Sequence, residues 1–283
     1  MYLFNGKLFL GGFTGRVLSK IYRELKKVLQ PRITIKNPYG KNILFVFNSF
    51  ITFSRIVSIF SKEKGTIDWI LKNLKKGDVF YDVGANIGQY TLFSLSLDKN
   101  IKAYAFEPHA INAGLLIENL LRNKYSNRAK VITSALNNKN SFEYFDYKLI
   151  EPGSSFSQFR NIDQNLDEEA YLFSEIKYGC TLDFLIEKKI IQEPSLIKID
   201  VDGNELKVLE GMKNFLIKNN SLKSIQLEMN VGEYEKIESF MKSVDFIQTE
   251  HHYGKTGKKL RSQGLSRKEI PHHVIYEPKK NHI

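Results

Sequence analysis

From residue 78 onward the chain alternates short apolar runs with helical patterns, and this rhythm constrains the fold more than any other feature. Val79–Val83 reads as a buried strand and Gln89–Leu97 as the helix after it. A strand over 101–106, a helix over Ala110–Arg122 and a strand over 130–134 follow. Leu196–Ile199 is a fourth strand, 205–217 a helix, 224–228 a fifth strand and 234–242 a helix. Strands over 246–249 and 273–277 close the series. Such alternation predicts an α/β fold, a mostly parallel sheet with helices on both faces. Ligands on such sheets bind beyond the carboxyl ends of the strands.

The chain ahead of this reads differently. Residues 16–29 form an amphipathic helix, with Val17, Leu18, Ile21 and Leu25 on one face and Arg16, Lys20, Arg23, Lys26 and Lys27 around it. Residues 32–36 alternate as a strand, Asn37-Pro38-Tyr39-Gly40 has turn chemistry, and 43–47 and 50–53 read as further strands. A short helix over 65–74 follows. The expected division is an N-terminal helix and β-hairpin extension over 1–64, then one main domain over 65–283. Residues 151–179 show no periodicity, the mark of a lid or a poorly ordered connection. The basic stretch 255–267 reads as a solvated loop.

A single cysteine, Cys180, excludes an intrachain disulfide and any multi-thiolate zinc site. The net charge is +11, but the lysines are spread along the chain. A lysine-rich surface therefore competes with an acidic substrate, a membrane surface or nucleic acid as its explanation. No zinc ribbon or aromatic-basic RNA-binding pattern is present, so nucleic acid is not the expected partner. No secretory signal is evident, and the longest uncharged stretch, 42–54, is too short to span a bilayer. The expected location is the cytoplasm. Contact of 16–29 with anionic lipid at the inner membrane face is the alternative to packing on its own domain.

The first strand ends in Asp82-Val83-Gly84-Ala85-Asn86-Ile87-Gly88. Small residues here let backbone approach a ligand, and the helix N-terminus offers free N–H groups. Asp82 can accept from a ligand ammonium or hold the loop. The next strand ends in Phe106-Glu107-Pro108, and an acid at this place can hydrogen-bond both hydroxyls of a ribose. A dinucleotide fingerprint wants G-x-G-x-x-G, whereas Gly84 and Gly88 stand four apart with Asn86 between them. That spacing favours S-adenosylmethionine over a nicotinamide cofactor.

These two motifs, followed by Leu196-Ile-Lys-Ile-Asp200-Val-Asp202-Gly203-Asn-Glu205, resemble the FkbM family of methyltransferases from about residue 69 to residue 228. The resemblance implies a class I, Rossmann-like methyltransferase fold and S-adenosylmethionine-dependent O-methylation, often of sugar or polyketide hydroxyls. It implies that Asp82, Gly84, Ala85, Asn86, Ile87 and Gly88 wrap the methionine part of the cofactor, with Tyr90 alongside. Glu107 and Pro108 would meet the ribose, and Ser134 and Ala135 would border the adenine. Family members usually have Glu at the place of Asp202.

A hydroxyl acceptor must lose its proton as it attacks the sulfonium methyl, and a positioned carboxylate can take it. Asp200, Asp202 and Glu205 cluster where the fourth strand meets its helix, with Glu228 at the end of the fifth. These four are the candidate catalytic residues. Asp202 and Glu205 also suit helix capping, and the acids together suit a divalent cation, but no metal is expected. The pairs His251-His252 and His272-His273 are poorly placed for one ion, since neighbours on a strand face opposite ways. The expected acceptor is a hydroxyl of a sugar, glycan or other small metabolite. A nucleic-acid methyltransferase or an NAD(P)-dependent oxidoreductase are the alternatives.

Overall fold

The computed structural model describes residues 2–4, 7–9, 17–18, 20–21, 24–25, 30–162, 170–218 and 221–279. Its centre is a seven-stranded sheet in the order Phe246–His252, His272–Pro278, Ser224–Met229, Leu196–Ile199, Val79–Val83, Lys102–Phe106, Ala129–Ile132. The five strands from Ser224–Met229 to Ala129–Ile132 pair in parallel. His272–Pro278 enters antiparallel to both of its neighbours. This is the class I methyltransferase sheet, with its ordering switch between Leu196–Ile199 and Val79–Val83. Two apolar clusters cover it. One holds Phe80, Leu92, Phe93 and Leu116; the other holds Tyr81, Ile197, Leu209, Leu227 and Tyr276.

The strands Arg32–Ile35 and Ile43–Val46 form the expected hairpin. Ile43, Phe45 and Val46 lie in the same cluster as Leu92, Phe93 and Leu116, so residues on both sides of position 64 share one core. Side chains of the helix Ala110–Arg122 serve the hairpin backbone. Asn119 Oδ1 accepts the Val46 N–H at 2.8 Å, and Asn123 Oδ1 accepts the Leu44 N–H at 2.9 Å.

Four expectations change. Phe50–Val57 is a helix, not a strand. Ser49 and Thr52 close a reciprocal capping box, and the buried Thr52 and Ile56 fall at helical spacing. The helix over 205–217 breaks into Glu205–Glu210 and Lys213–Lys218. At Gly211, between them, the Asn137 carbonyl approaches so closely that a Cβ would stand 2.0 Å from its oxygen. Lys255–Ser262 is a helix rather than a loop. Leu260 is its only large apolar residue, which left no periodicity to read.

The fourth change is a second sheet, ordered Gln158–Arg160, Ser141–Tyr147, Phe173–Cys180, Ala135–Leu136. Gln158–Arg160 falls within 151–179 and Phe173–Cys180 begins there, and residues 163–169 lie outside the described set. Its pattern was illegible because acids occupy buried positions. Asp146 is buried against Arg160 and Ser174, and Glu143 against Lys139 and Ser141.

Most of the 16–29 helix falls outside the described residues; within it, Val17, Leu18, Ile21 and Leu25 are helical and exposed. Among the described residues no helix is long and apolar enough to cross a membrane.

Candidate active site

The loop after Val79–Val83 is stitched to the end of the neighbouring strand. Gly84 and Ala85 both donate their N–H to the Phe106 carbonyl, at 2.9 and 3.0 Å, and Asn86 donates to Glu107 Oε2 at 2.6 Å. Gly84 has φ +80°, and a Cβ there would lie 1.8 Å from the Asp200 carbonyl oxygen, so only glycine fits. Asn86, at φ +51°, takes the left-handed conformation that its side chain tolerates. Its Nδ2 donates to the Ser154 carbonyl at 2.9 Å.

Glu107 is nearly buried. Its second oxygen, Oε1, accepts the His109 N–H at 2.9 Å. Burial pushes its carboxyl up to about 7, against the pull of the two amides. It borders a cleft of about 780 Å³ with Pro108, Ala135, Leu136, Phe145 and Phe159. A smaller cleft of about 420 Å³ lies beside it, lined by Glu63, Gln89, Tyr90 and Lys198. Arg55, Gly84, Asn86 and Asp200 line both, so the clefts adjoin at the loop.

Segment 151–157 adds Ser154, Ser155 and Ser157 to the wall of the larger cleft. It is tied down from several elements. Arg55 Nε donates to the Gly153 carbonyl at 2.6 Å, and the same guanidinium bonds the Ser155 hydroxyl. Asn112 Oδ1 accepts the Gly153 N–H at 2.7 Å, and Asp202 Oδ2 accepts the Phe156 N–H at 2.7 Å.

The four candidate acids separate into distinct environments. Asp200 lines both clefts, and its Oδ2 accepts from Lys198 Nζ at 2.8 Å. Burial disfavours its ionisation, but the Lys198 ammonium prevails and holds the carboxyl well below its usual range. Glu228 shares a hydrogen bond with Asp200; the Asp200 charge, and then burial, push it up to about 10. Within the pair, ionisation is favoured on Asp200 and protonation on Glu228. Asp202, at φ +56°, lines the larger cleft while gripping the Phe156 amide. One carboxylate oxygen from each of Asp200, Asp202 and Glu228 falls within 4.8 Å of the others.

Glu205 is fully buried and lines neither cleft. Its oxygens accept the Val201 and Gly203 N–H groups, each at 3.0 Å, so it braces the turn that carries Asp202. Three loop residues also stand back from the clefts. Asp82 is fully buried, with Oδ2 accepting from the Thr91 hydroxyl at 2.6 Å and Oδ1 without a partner among the described residues. Ile87 packs in the core, and Gly88 turns at φ +88° against Leu116. Ser134 falls after the third strand, which ends at Ile132, and leaves the wall to Ala135 and Leu136.

Sequence reasoning missed Arg55, Glu63 and Lys198. A lysine inside the run Leu196-Ile-Lys-Ile was the legible signal; Arg55 and Glu63 gave none, because tertiary packing alone brings them here.

Residues 82–254 match the model of the methyltransferase FkbM domain. A hexuronic acid methyltransferase of Haloferax volcanii, AglP, is 29% identical over 170 residues, covering 60% of this chain and 63% of the relative. The 31-O-demethyl-FK506 methyltransferase FkbM of Streptomyces tacrolimicus is 26% identical over 160 residues, covering 50% of this chain and 62% of that one. The matches thus span somewhat under two thirds of each relative's length. Among solved structures, methyltransferase FkbM from Methylobacillus flagellatus KT aligns at TM-score 0.45 and 12% identity, covering 81% of this chain and 56% of that one. With the loop, Glu107 and the acidic strand end in one cleft system, and with more than half its length inside the domain match, this chain belongs to the FkbM family of methyltransferases.

Proposed function

We propose that the protein transfers the methyl group of S-adenosylmethionine to a hydroxyl of a sugar, glycan or similar small metabolite. The observation behind this reading is the Asp200 carboxylate, bonded to the Lys198 ammonium on the wall shared by the two clefts.

The residues present fit the cofactor. Gly84 lets the loop close onto the Asp200 carbonyl, which sets its backbone along the wall of both clefts. Glu107 keeps lone pairs free beyond its two amide bonds, as a ribose diol requires. When bound, the cofactor supplies an electrophilic methyl on a sulfonium. On this reading Glu107 holds the ribose, Ala135, Leu136 and Phe159 flank the adenine, and the loop from Gly84 to Asn86 lies along the methionine part. Asp200 orients the acceptor hydroxyl and takes its proton.

The name of the archaeal relative raises a carboxylate acceptor as a second possibility. A carboxylate needs no base, and the Asp200, Asp202 and Glu228 cluster would repel it, which favours a neutral hydroxyl.

Calorimetry with adenosylhomocysteine and NADH tests the cofactor: the first should bind and the second should not. Tritium transfer from methyl-labelled S-adenosylmethionine into a cell glycan extract tests the acceptor class. Label released from the product by mild alkali would mark a methyl ester and overturn the hydroxyl reading.

A further inference from the structure

Lys198 sits within the strand Leu196–Ile199 and is 1% exposed. Lysine is almost never buried so deeply without a partner. Its ammonium donates to Asp200 Oδ2 at 2.8 Å, two residues along the same strand face. It stands 5.0 Å from the centre of the Tyr90 ring, which walls it in. Tyr90 is itself held by Glu63, to whose Oε2 its hydroxyl donates at 2.6 Å.

We infer that Lys198 is a positioning residue of the transfer: its ammonium, fixed against Tyr90, holds the Asp200 carboxylate at the junction of the two clefts, ready to receive the acceptor proton. This rests on the reading of Asp200 as the base. The groups around Asp200 explain why a fixed cation is needed there. Glu228 faces it from the neighbouring strand, Asp82 from the strand on the other side, and Asp202 and Glu205 from the turn and helix that follow. His273 lies on His272–Pro278, 3.9 Å from Glu63, but burial pushes its imidazole toward the neutral form, and Arg55 is committed to the 151–157 segment. Without the ammonium, mutual repulsion among these acids would favour protonation of Asp200. A protonated Asp200 cannot act as a base.

The step balances. The acceptor oxygen forms the new bond to the methyl carbon as the carbon–sulfur bond breaks, and that electron pair stays on sulfur as the neutral thioether. The hydroxyl proton passes to Asp200 and then to solvent. Lys198 remains protonated throughout.

Carbon NMR titration of the side-chain carboxyls tests the inference with adenosylhomocysteine bound, and Glu228→Gln and Asp200→Asn supply the assignments. In the wild type, Asp200 should stay ionised down to pH 4 while Glu228 keeps its proton above pH 7. In Lys198→Met the Asp200 titration should move up by one pH unit or more. Absence of that movement, or a wild-type Asp200 that titrates above pH 5, overturns the inference. If Lys198→Met does not fold, the wild-type titration decides alone. Undiminished tritium transfer by Asp200→Asn would instead overturn the reading of Asp200 as base, a result on which the titrations do not depend.

Discussion

Asn119 joins Val46 to the loop after Val79–Val83: its Oδ1 accepts the Val46 N–H at 2.8 Å, and its Nδ2 donates to the Ile87 carbonyl at 3.0 Å. One fully buried side chain thus ties the N-terminal hairpin to the turn between Gly84 and Gly88.

Asn119→Leu keeps the branching and heavy-atom count of the side chain but strands both backbone groups. The expected loss is about 3 kcal/mol, a fall in Tm on the order of 10 °C, because each buried unpaired group is penalised. Adenosylhomocysteine affinity should fall as well, since the loop loses its brace. Thermal denaturation and calorimetry on the same variant check both.

Gly84→Ala should be more severe than its single methyl suggests. The new Cβ would meet the Asp200 carbonyl, a backbone atom, at a positive φ that alanine disfavours. The loop and the end of the Leu196–Ile199 strand must separate, so cofactor binding should disappear even where the variant folds. Equilibrium dialysis with labelled adenosylhomocysteine reads this directly.

Cofactor affinity should depend on pH through Glu107. Its carboxyl in the folded protein is raised to about 7, above its unfolded value near 4.5. The stability it contributes is therefore fully present below pH 4.5 and is lost as pH rises through 7. Binding runs the other way, because a ribose diol needs the ionised acceptor. Between pH 6 and pH 8 adenosylhomocysteine should tighten by about tenfold, with proton release on binding at the lower pH. Glu107→Gln should bind weakly and show a flat profile.

Arg55→Ala should release segment 151–157 without harming the core, since the guanidinium holds Gly153 and Ser155 and is only partly buried. Limited proteolysis should then cut within 151–157 several-fold faster, while Tm changes by under about 1 kcal/mol equivalent. Stopped-flow release of adenosylhomocysteine should quicken in the same variant.

Much of this site was legible because its logic is local. Gly84, Asn86 and Glu107 declare themselves by position relative to strand ends, and Asp200 by closing an apolar strand. The parts that stayed hidden depend on partners far along the chain. Phe50–Val57 looks extended until Ser49 and Thr52 cap each other, and Arg55 gains its place only when residues about 100 positions away fold onto it. Strand Ser141–Tyr147 carries Glu143 and Asp146 inward, contrary to the apolar-inward pattern on which strand reading depends. Glu205 looked catalytic by its motif, and burial against two backbone amides makes it a brace.

The antiparallel strand His272–Pro278 also bears on how the chain assembles during synthesis. Among the described residues, the edge strand Phe246–His252 pairs with it alone, and Ser224–Met229 lacks its outer neighbour until it arrives. A nascent chain that has emerged only to residue 260 therefore presents two unsatisfied strand edges beside the finished acidic turn. Such edges invite pairing with other chains. Ribosome pausing or truncation before His272–Pro278 can pair should thus favour aggregation far more than the same event after it has paired.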